Sequence, residues 1–214
     1  MANSFLKAMR GLCRWAAEAQ FLAENVAANV RPIAIKSDGH HTWTDDEVSA
    51  FEARWPVGTR ERLALDLLLY TGLRRGDAVR LGCQRVKAGV FRIKTDKNGV
   101  EIAAPILPAL ARSIAGAATG DLCFISGEHG GRLTKESFGN YFREACIAAG
   151  VPGRAHGLRK AGASRAAENG ATNEQLKAIF GWTDDKMPSL YTRQASRAKM
   201  AGAAMGMLSR DDKS

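Results

Sequence analysis

The chain has 214 residues, 45% of them apolar and 25% charged. That is the balance of a globular domain able to bury roughly 70% of its unfolded surface without metals or disulfides. Lys and Arg total 31 against 22 Asp and Glu, a net charge of +9, which favours a polyanionic partner, nucleic acid first among them. No run approaches the ~18 apolar residues of a membrane span, and the opening MANSFLKAMRGLCRWAAEAQ lacks the apolar core of a secretion signal, so a cytoplasmic, nucleoid-associated protein with no membrane partner is expected.

Residues 4–30 carry Leu6, Met9, Leu12, Cys13, Ala16 and Ala17 at spacings of three and four, the pattern of an amphipathic helix. Residues 31–43 contain Pro32, Gly39, His40 and His41 without helical period and read as a linker. Thr44 followed by Glu47 forms a capping box that starts a helix. A leucine-rich helix from about Arg60 to Tyr70 ends at Gly72. The segments 89–93 (GVFRI) and 100–105 (VEIAAP) alternate as strands, and Asn98-Gly99 between them signals a hairpin turn. Helices are expected again over 108–118, from Thr134 to Gly150 with Phe138, Tyr141, Phe142, Ala145 and Ala149 on one face, from His156 to about Gly170, and from a second capping box, Thr172 with Gln175, to Gly181. Tyr191 sits past Pro188 in a segment that starts afresh. The fold class is therefore α+β, mostly α-helical, with one small antiparallel β-hairpin sheet.

The cysteines Cys13, Cys83, Cys123 and Cys146 form no CxxC pair and have no histidine at zinc-like spacing. They read as reduced, buried packing residues. His40 and His41 are adjacent, point different ways and make no metal site. No phosphate-binding GxxxxGK[ST] loop occurs.

Three segments concentrate chemistry. Thr71–Asp77 (TGLRRGD) delivers Arg74 on a tight turn after a buried helix, with Asp77 near enough to pair with it; a solvated arginine pair at a helix C-terminus explains the same residues. His156 and Arg159 stand at i and i+3 on one helix face and offer an imidazole and a planar cationic fork suited to phosphate. Gly181-Trp182-Thr183 is followed by Tyr191-Thr192-Arg193, where a half-buried packing tyrosine is the ordinary alternative.

Taken in order, these segments resemble the tyrosine recombinases, the phage integrase family, over residues 42–208. TGLRRGD resembles the first arginine box, HGLRK the HxxR box, FGW the box that more often ends in histidine, and YTR the nucleophile box. The hairpin IKTDKNG resembles the hairpin that carries the family's lysine. The resemblance implies the DNA breaking-rejoining catalytic fold over residues 41–214. Residues 1–40 would be a remnant helix and linker of a core-binding domain. It implies Arg74, Lys94, His156, Arg159, Trp182 and Tyr191 as catalytic residues with Asp77 in support, and Lys97 as the fallback for Lys94 on the same turn. It further implies site-specific integration or excision through a 3′-phosphotyrosyl intermediate, with no cofactor, no metal and no small-molecule substrate. The partners would be double-stranded DNA and further copies of the chain. The apolar residues Met200, Met205, Met207 and Leu208 suggest a tail that packs on a neighbour or on its own domain. Two rival functions are a type IB topoisomerase, which uses the same tyrosine chemistry, and a non-catalytic DNA-binding remnant of a mobile element.

Overall fold

A computed structural model describes residues 1–34, 39–127 and 130–205. Two units stand out, Met1–Gly39 and His40–Ser214. In the first, helix α1 (Ala2–Glu18) is shorter than the pattern over 4–30 suggests. The following segment folds back irregularly: Asn3 exchanges two hydrogen bonds of 2.8 Å with the backbone of Ile33, and Arg10 donates to the carbonyls of Ala27 and Val30. These side chains supply the backbone partners that a longer helix would have supplied.

The second unit is helical around a three-stranded antiparallel sheet. Its order is α2 (Asp45–Arg54), α3 (Arg60–Thr71), α4 (Arg75–Ala78), β1 (Val86–Lys87), β2 (Val90–Lys94), β3 (Glu101–Pro105), α5 (Pro108–Gly116), α6 (Lys135–Ala148), α7 (Ala155–Glu168), α8 (Asn173–Phe180) and α9 (Lys186–Met205). Both capping boxes form, at Thr44 with Glu47 and at Thr172 with Gln175. The short elements α4 and β1, two to four residues each, carry too few residues for any period to show. Helix α9 begins at Lys186, before Pro188, because proline is tolerated in a first turn, where its missing N–H has no helical partner to lose. Met200 and Met205 are exposed on α9, while Met207 and Leu208 lie outside the described residues.

The core is built where periodicity places it. Phe51 of α2, Leu63, Leu65, Leu67 and Leu68 of α3, Phe138 and Phe142 of α6, and Phe91, Ile93 and Ile102 of the sheet are all fully buried. A smaller cluster of Ala163, Ala167, Leu176, Phe180, Tyr191 and Ala195 joins α7, α8 and α9. Cys13, Cys123 and Cys146 are buried, but Cys83 is exposed, because it lies on the 3₁₀ turn Cys83–Arg85 that crosses the surface between α4 and the sheet. No described helix is long and apolar enough to cross a membrane.

The hairpin is wider than Asn98-Gly99 implies. Thr95 closes it against Val100 through backbone and hydroxyl bonds of 2.9 to 3.1 Å. This leaves the loop Asp96-Lys97-Asn98-Gly99, with Gly99 alone at positive φ (65°). Asn-Gly therefore marks the exit of a four-residue loop and not the centre of a two-residue turn.

Gly72 ends α3 in the left-handed conformation at φ 62°, and a Cβ there would stand 2.4 Å from the Phe180 ring of α8. Gly150 has a similar φ of 68° but open space around it. Gly150→Ala should thus cost only the backbone strain, about 1–2 kcal/mol. Gly72→Ala adds a clash in a packed region, about 1–3 kcal/mol more. Urea unfolding of the two variants measures the difference, and equal losses would show that the α3–α8 approach is not tight.

Candidate active site

The end of α3 sets the first cation. After Gly72 and buried Leu73, Arg74 is the extended N-cap residue of α4. Its Nη1 is buried and has no hydrogen-bond partner. A buried guanidinium nitrogen left unpaired is costly, and its position beside open cleft space suits an anionic ligand. Among the described residues no ion pair joins Arg74 to Asp77, although the two are close enough for Arg74 to pull on the Asp77 pKa. The Asp77 carboxylate accepts from the Asp96 amide at 2.9 Å and lies 3.8 Å from Arg80. Burial raises its pKa, against the pull of Arg80, Arg74 and Arg159.

Helix α7 supplies the second group. The indole of Trp43 donates to the Arg154 carbonyl at 3.1 Å. Gly157 lets the His41 backbone approach so closely that a Cβ would stand 2.2 Å from its carbonyl oxygen. This contact fixes the first turn of α7, which carries His156 and, one turn on, Arg159. Arg159 is only 5% exposed. One Nη donates to the Gly72 carbonyl and the other to the Phe180 carbonyl at 2.5 Å. Both acceptors sit at helix C-termini, where carbonyls lack helical partners. Five N–H groups minus two leaves three donors for a ligand. Burial, then Arg74, lowers the Arg159 pKa to about 10, with Asp77 and Tyr191 opposing, so it stays charged at neutral pH.

His156 is flanked by the ring of His40, centroid to centroid 4.6 Å, and Lys160 holds that residue by donating to the His40 carbonyl at 2.6 Å. Desolvation first, then the neighbouring His40, Arg159, Lys160 and Arg74, push the His156 pKa down to about 4. Its imidazole is therefore neutral at pH 7 and free to accept a proton.

The end of α8 and the start of α9 bring the phenol. Trp182 stacks on Phe180 at 4.9 Å and on Tyr191 at 5.6 Å, the latter pair within 4° of parallel. The Arg159 guanidinium lies over the same Phe180 and Trp182 rings, 5.2 and 5.5 Å from their centroids. Asn173 ties α9 to α8 by bonds of 3.0 Å to Ser189 and Thr192. Tyr191 is 6% exposed. Burial raises its pKa and Arg159 lowers it, so the hydroxyl keeps its proton near neutrality.

A cleft of about 430 Å³ is lined by Arg74, Lys97, Asn98, His156, Arg159, Lys160, Trp182 and Tyr191. An adjoining cleft of about 770 Å³ shares Arg74, Lys97, His156 and Arg159 and adds Asp77 and Asp96. Five of the six catalytic candidates thus meet in one cleft. Lys94 does not line it. Along β2, Phe91 and Ile93 are buried while Arg92 and Lys94 are exposed on the opposite face, and the Lys94 side chain runs beside Gly99 at the exit of the loop. The fallback Lys97, in the loop beyond the strand, lines the cleft together with Arg74. His40 and Lys160 were missed by sequence reasoning. The only signal for His40 was its presence in a linker, and its contact with His156 spans 116 positions. Among the described residues no group of three or more His, Cys, Asp or Glu could hold a metal ion.

The arrangement is a cationic cleft with a buried phenol at one wall and a neutral imidazole at another, suited to holding a phosphate beside a nucleophile. The family model described as the phage integrase family matches residues 45–197. The tyrosine recombinase XerD of Mycobacterium tuberculosis is 30% identical, over 92% of this chain and 72% of its own length. The integrase of Escherichia phage HK022 is 26% identical over 72% of this chain, which spans 46% of that protein. Among solved structures, a lambda integrase fragment, as a dimer bound to a core site, superposes with a TM-score of 0.72 at 23% identity, covering 89% of this chain and 72% of that one. XerA recombinase superposes with a TM-score of 0.65 at 16% identity, covering 94% and 82%. The fold is shared with both, and the sequence match extends through every element that builds the cleft, so the chain belongs to the phage integrase family.

Proposed function

We propose that the chain cuts and rejoins DNA strands in site-specific recombination, with residues 41–214 as its catalytic part. The observation that carries this reading is the meeting of Arg74, Lys97, His156, Arg159, Trp182 and Tyr191 around one cleft. The phenolic oxygen of Tyr191 attacks a backbone phosphorus, the bond to the 5′ oxygen breaks, and the strand is left as a 3′-phosphotyrosyl ester. His156, neutral because of its desolvated cationic surroundings, takes the phenol proton. Arg74 and the three free donors of Arg159 hold the non-bridging oxygens as their charge grows. Lys97 gives a proton to the departing 5′ oxygen. The indole N–H of Trp182 supports the phosphate as a donor and cannot act as a base. Attack of a 5′ hydroxyl on the ester reverses every transfer and reseals the strand, so the bond energy is kept. Duplex DNA and further copies of the chain are the partners, since recombination joins two duplexes.

Covalent capture tests the reaction. Nicked duplexes drawn from a randomised library are incubated with the protein, and adducts that survive denaturation are sequenced. Adducts are expected and should vanish in Tyr191→Phe; their persistence would remove the nucleophile. On a captured sequence, Lys97→Ala should slow cleavage by ~10²-fold, the lower range of general-acid contributions. A bridging 5′ sulfur, which leaves without a proton, should restore it. Lys94→Ala should cut both substrates at close to the normal rate, and a sulfur-rescued defect at Lys94 would return the acid to that residue.

The imidazole gives a pH prediction. Its native pKa of about 4 lies below that of an unfolded histidine, near 6.5. Between these values the unfolded chain binds the proton and the native chain does not, so stability falls as pH drops from about 6.5 towards 4. His156→Asn should lose less over that window than the natural chain, as urea midpoints at pH 7 and pH 4.5 will show.

A further inference from the structure

We propose that Arg80 is a positioning residue that holds the lysine-bearing loop against the arginine that shares its cleft. The inference rests on Lys97 as the general acid. Arg80 follows α4, the helix that Arg74 caps, so the two arginines flank one short helix. Its guanidinium reaches across to the hairpin at two places. Nη2 donates to the Lys94 carbonyl at the last residue of β2, and Nη1 pairs with the Asp96 carboxylate at the first residue of the loop. The same Nη2 lies 3.8 Å from Asp77, whose carboxylate takes the Asp96 amide at 2.9 Å. Residues 94 and 96 are therefore fixed at three points from the α4 side, and Lys97 is the next residue. On the far side, among the described residues, the loop is held more loosely, by the Asn98 amide donating to the Gly181 carbonyl at 3.5 Å.

Stability gives little reason for this arrangement. The Asp96 side chain is 60% exposed, and an ion pair so open to water contributes little to folding. What the fork does supply is geometry. A planar guanidinium that bonds a carbonyl and a carboxylate at once fixes direction as well as distance. A lysine in its place would offer one flexible point charge. The lattice also couples two catalytic groups of different chain segments: any shift of α4 moves Arg74 and, through Arg80, the loop of Lys97 together.

The test separates a positioning role from a structural one. In the DNA-free full chain, Arg80→Ala should raise amide exchange at Asp96 by ~10-fold or more while Ile102 in β3 is unchanged, as for a local opening. Unaltered protection at Asp96 would overturn the inference. On a duplex recovered by covalent capture, Arg80→Ala should slow single-turnover cleavage by ~10- to 10²-fold, the cost of a displacement near 1 Å. With a bridging 5′ sulfur the defect should largely disappear, and Arg80→Lys should restore little on the oxygen substrate. Asp96→Ala, at an exposed position that leaves the fold intact, should show the same sulfur-specific rescue with a smaller defect. Equal slowing on oxygen and sulfur would mean that Arg80 supports the whole site, and would overturn the proposal. If Lys97→Ala itself is not rescued while Tyr191 still forms adducts, Lys97 is not the acid and the inference falls with it, a result distinct from a failure at Arg80.

Discussion

The buried guanidinium of Arg159 is the constraint on which the site depends. It lies between the last carbonyls of two helices, α3 at Gly72 and α8 at Phe180. Those carbonyls have no helical partners, and a cation at a helix C-terminus is favoured by the dipole as well as by the hydrogen bonds. Each helix ends in a left-handed glycine or immediately before one, Gly72 and Gly181. Each glycine turns the chain sharply out of its helix, leading to Arg74 in one case and to Trp182 and Tyr191 in the other. One side chain thus fixes the exits of two helices, and three of the candidate residues follow from those exits. Removing it would leave two buried carbonyls unpaired, at about 1–3 kcal/mol each, and would release the geometry along with the charge.

A second layer of order comes from aromatic rings. Phe180, Trp182 and Tyr191 form a continuous stack, with the Arg159 guanidinium over two of the rings. Aromatic pairs and cation–π contacts are directional, so the stack holds the phenol plane in place. The Trp182 indole is wide enough to stack on both Phe180 and Tyr191, and in the proposed reaction its one N–H would be left as a donor for the phosphate.

Most helices were legible because their signals are local. Thr44 with Glu47, Thr172 with Gln175, and the terminal glycines Gly72 and Gly181 act within four residues of themselves. The fully buried leucines of α3 read directly as a core element. The cleft residues Arg74, His156, Arg159, Trp182 and Tyr191 were found through the order of their motifs, not through any property of one segment. What the sequence hid was register and reach. Lys94 and Lys97 differ by three positions, and only the fold, which ends the strand at Lys94 and sets Lys97 in the loop, decides which of them lines the cleft. His40 and Arg80 act through contacts made by folding, with an imidazole across the unit and with a carbonyl and a carboxylate on the hairpin. Asp77 feels Arg74, but its buried carboxylate accepts its hydrogen bond from the Asp96 amide, a contact made only by folding, because a buried carboxylate takes the donors that surround it.

The site carries an electrostatic imbalance that its chemistry can use. Arg74, Arg159, Lys97 and Lys160 share a cleft of about 430 Å³ whose one lining carboxylate is Asp184. Arg74 has a buried nitrogen with no partner, His156 is driven to its neutral form, and Arg159 holds its proton less tightly than a solvated arginine. Each of these is a cost of crowding cations in a desolvated space. In the proposed reaction a phosphate held between the arginines would offset the repulsion among these cations, though not the desolvation that is the larger cause at His156 and Arg159, and a phosphorane, with more charge on the same oxygens, would offset more. The relief therefore grows along the reaction coordinate, which is the condition for binding energy to lower the barrier and not merely to hold the substrate. In the proposed reaction, an anion held by the two arginines would lower the cost of an imidazolium beside them, so His156 would become a better proton acceptor for Tyr191 where a phosphate is bound.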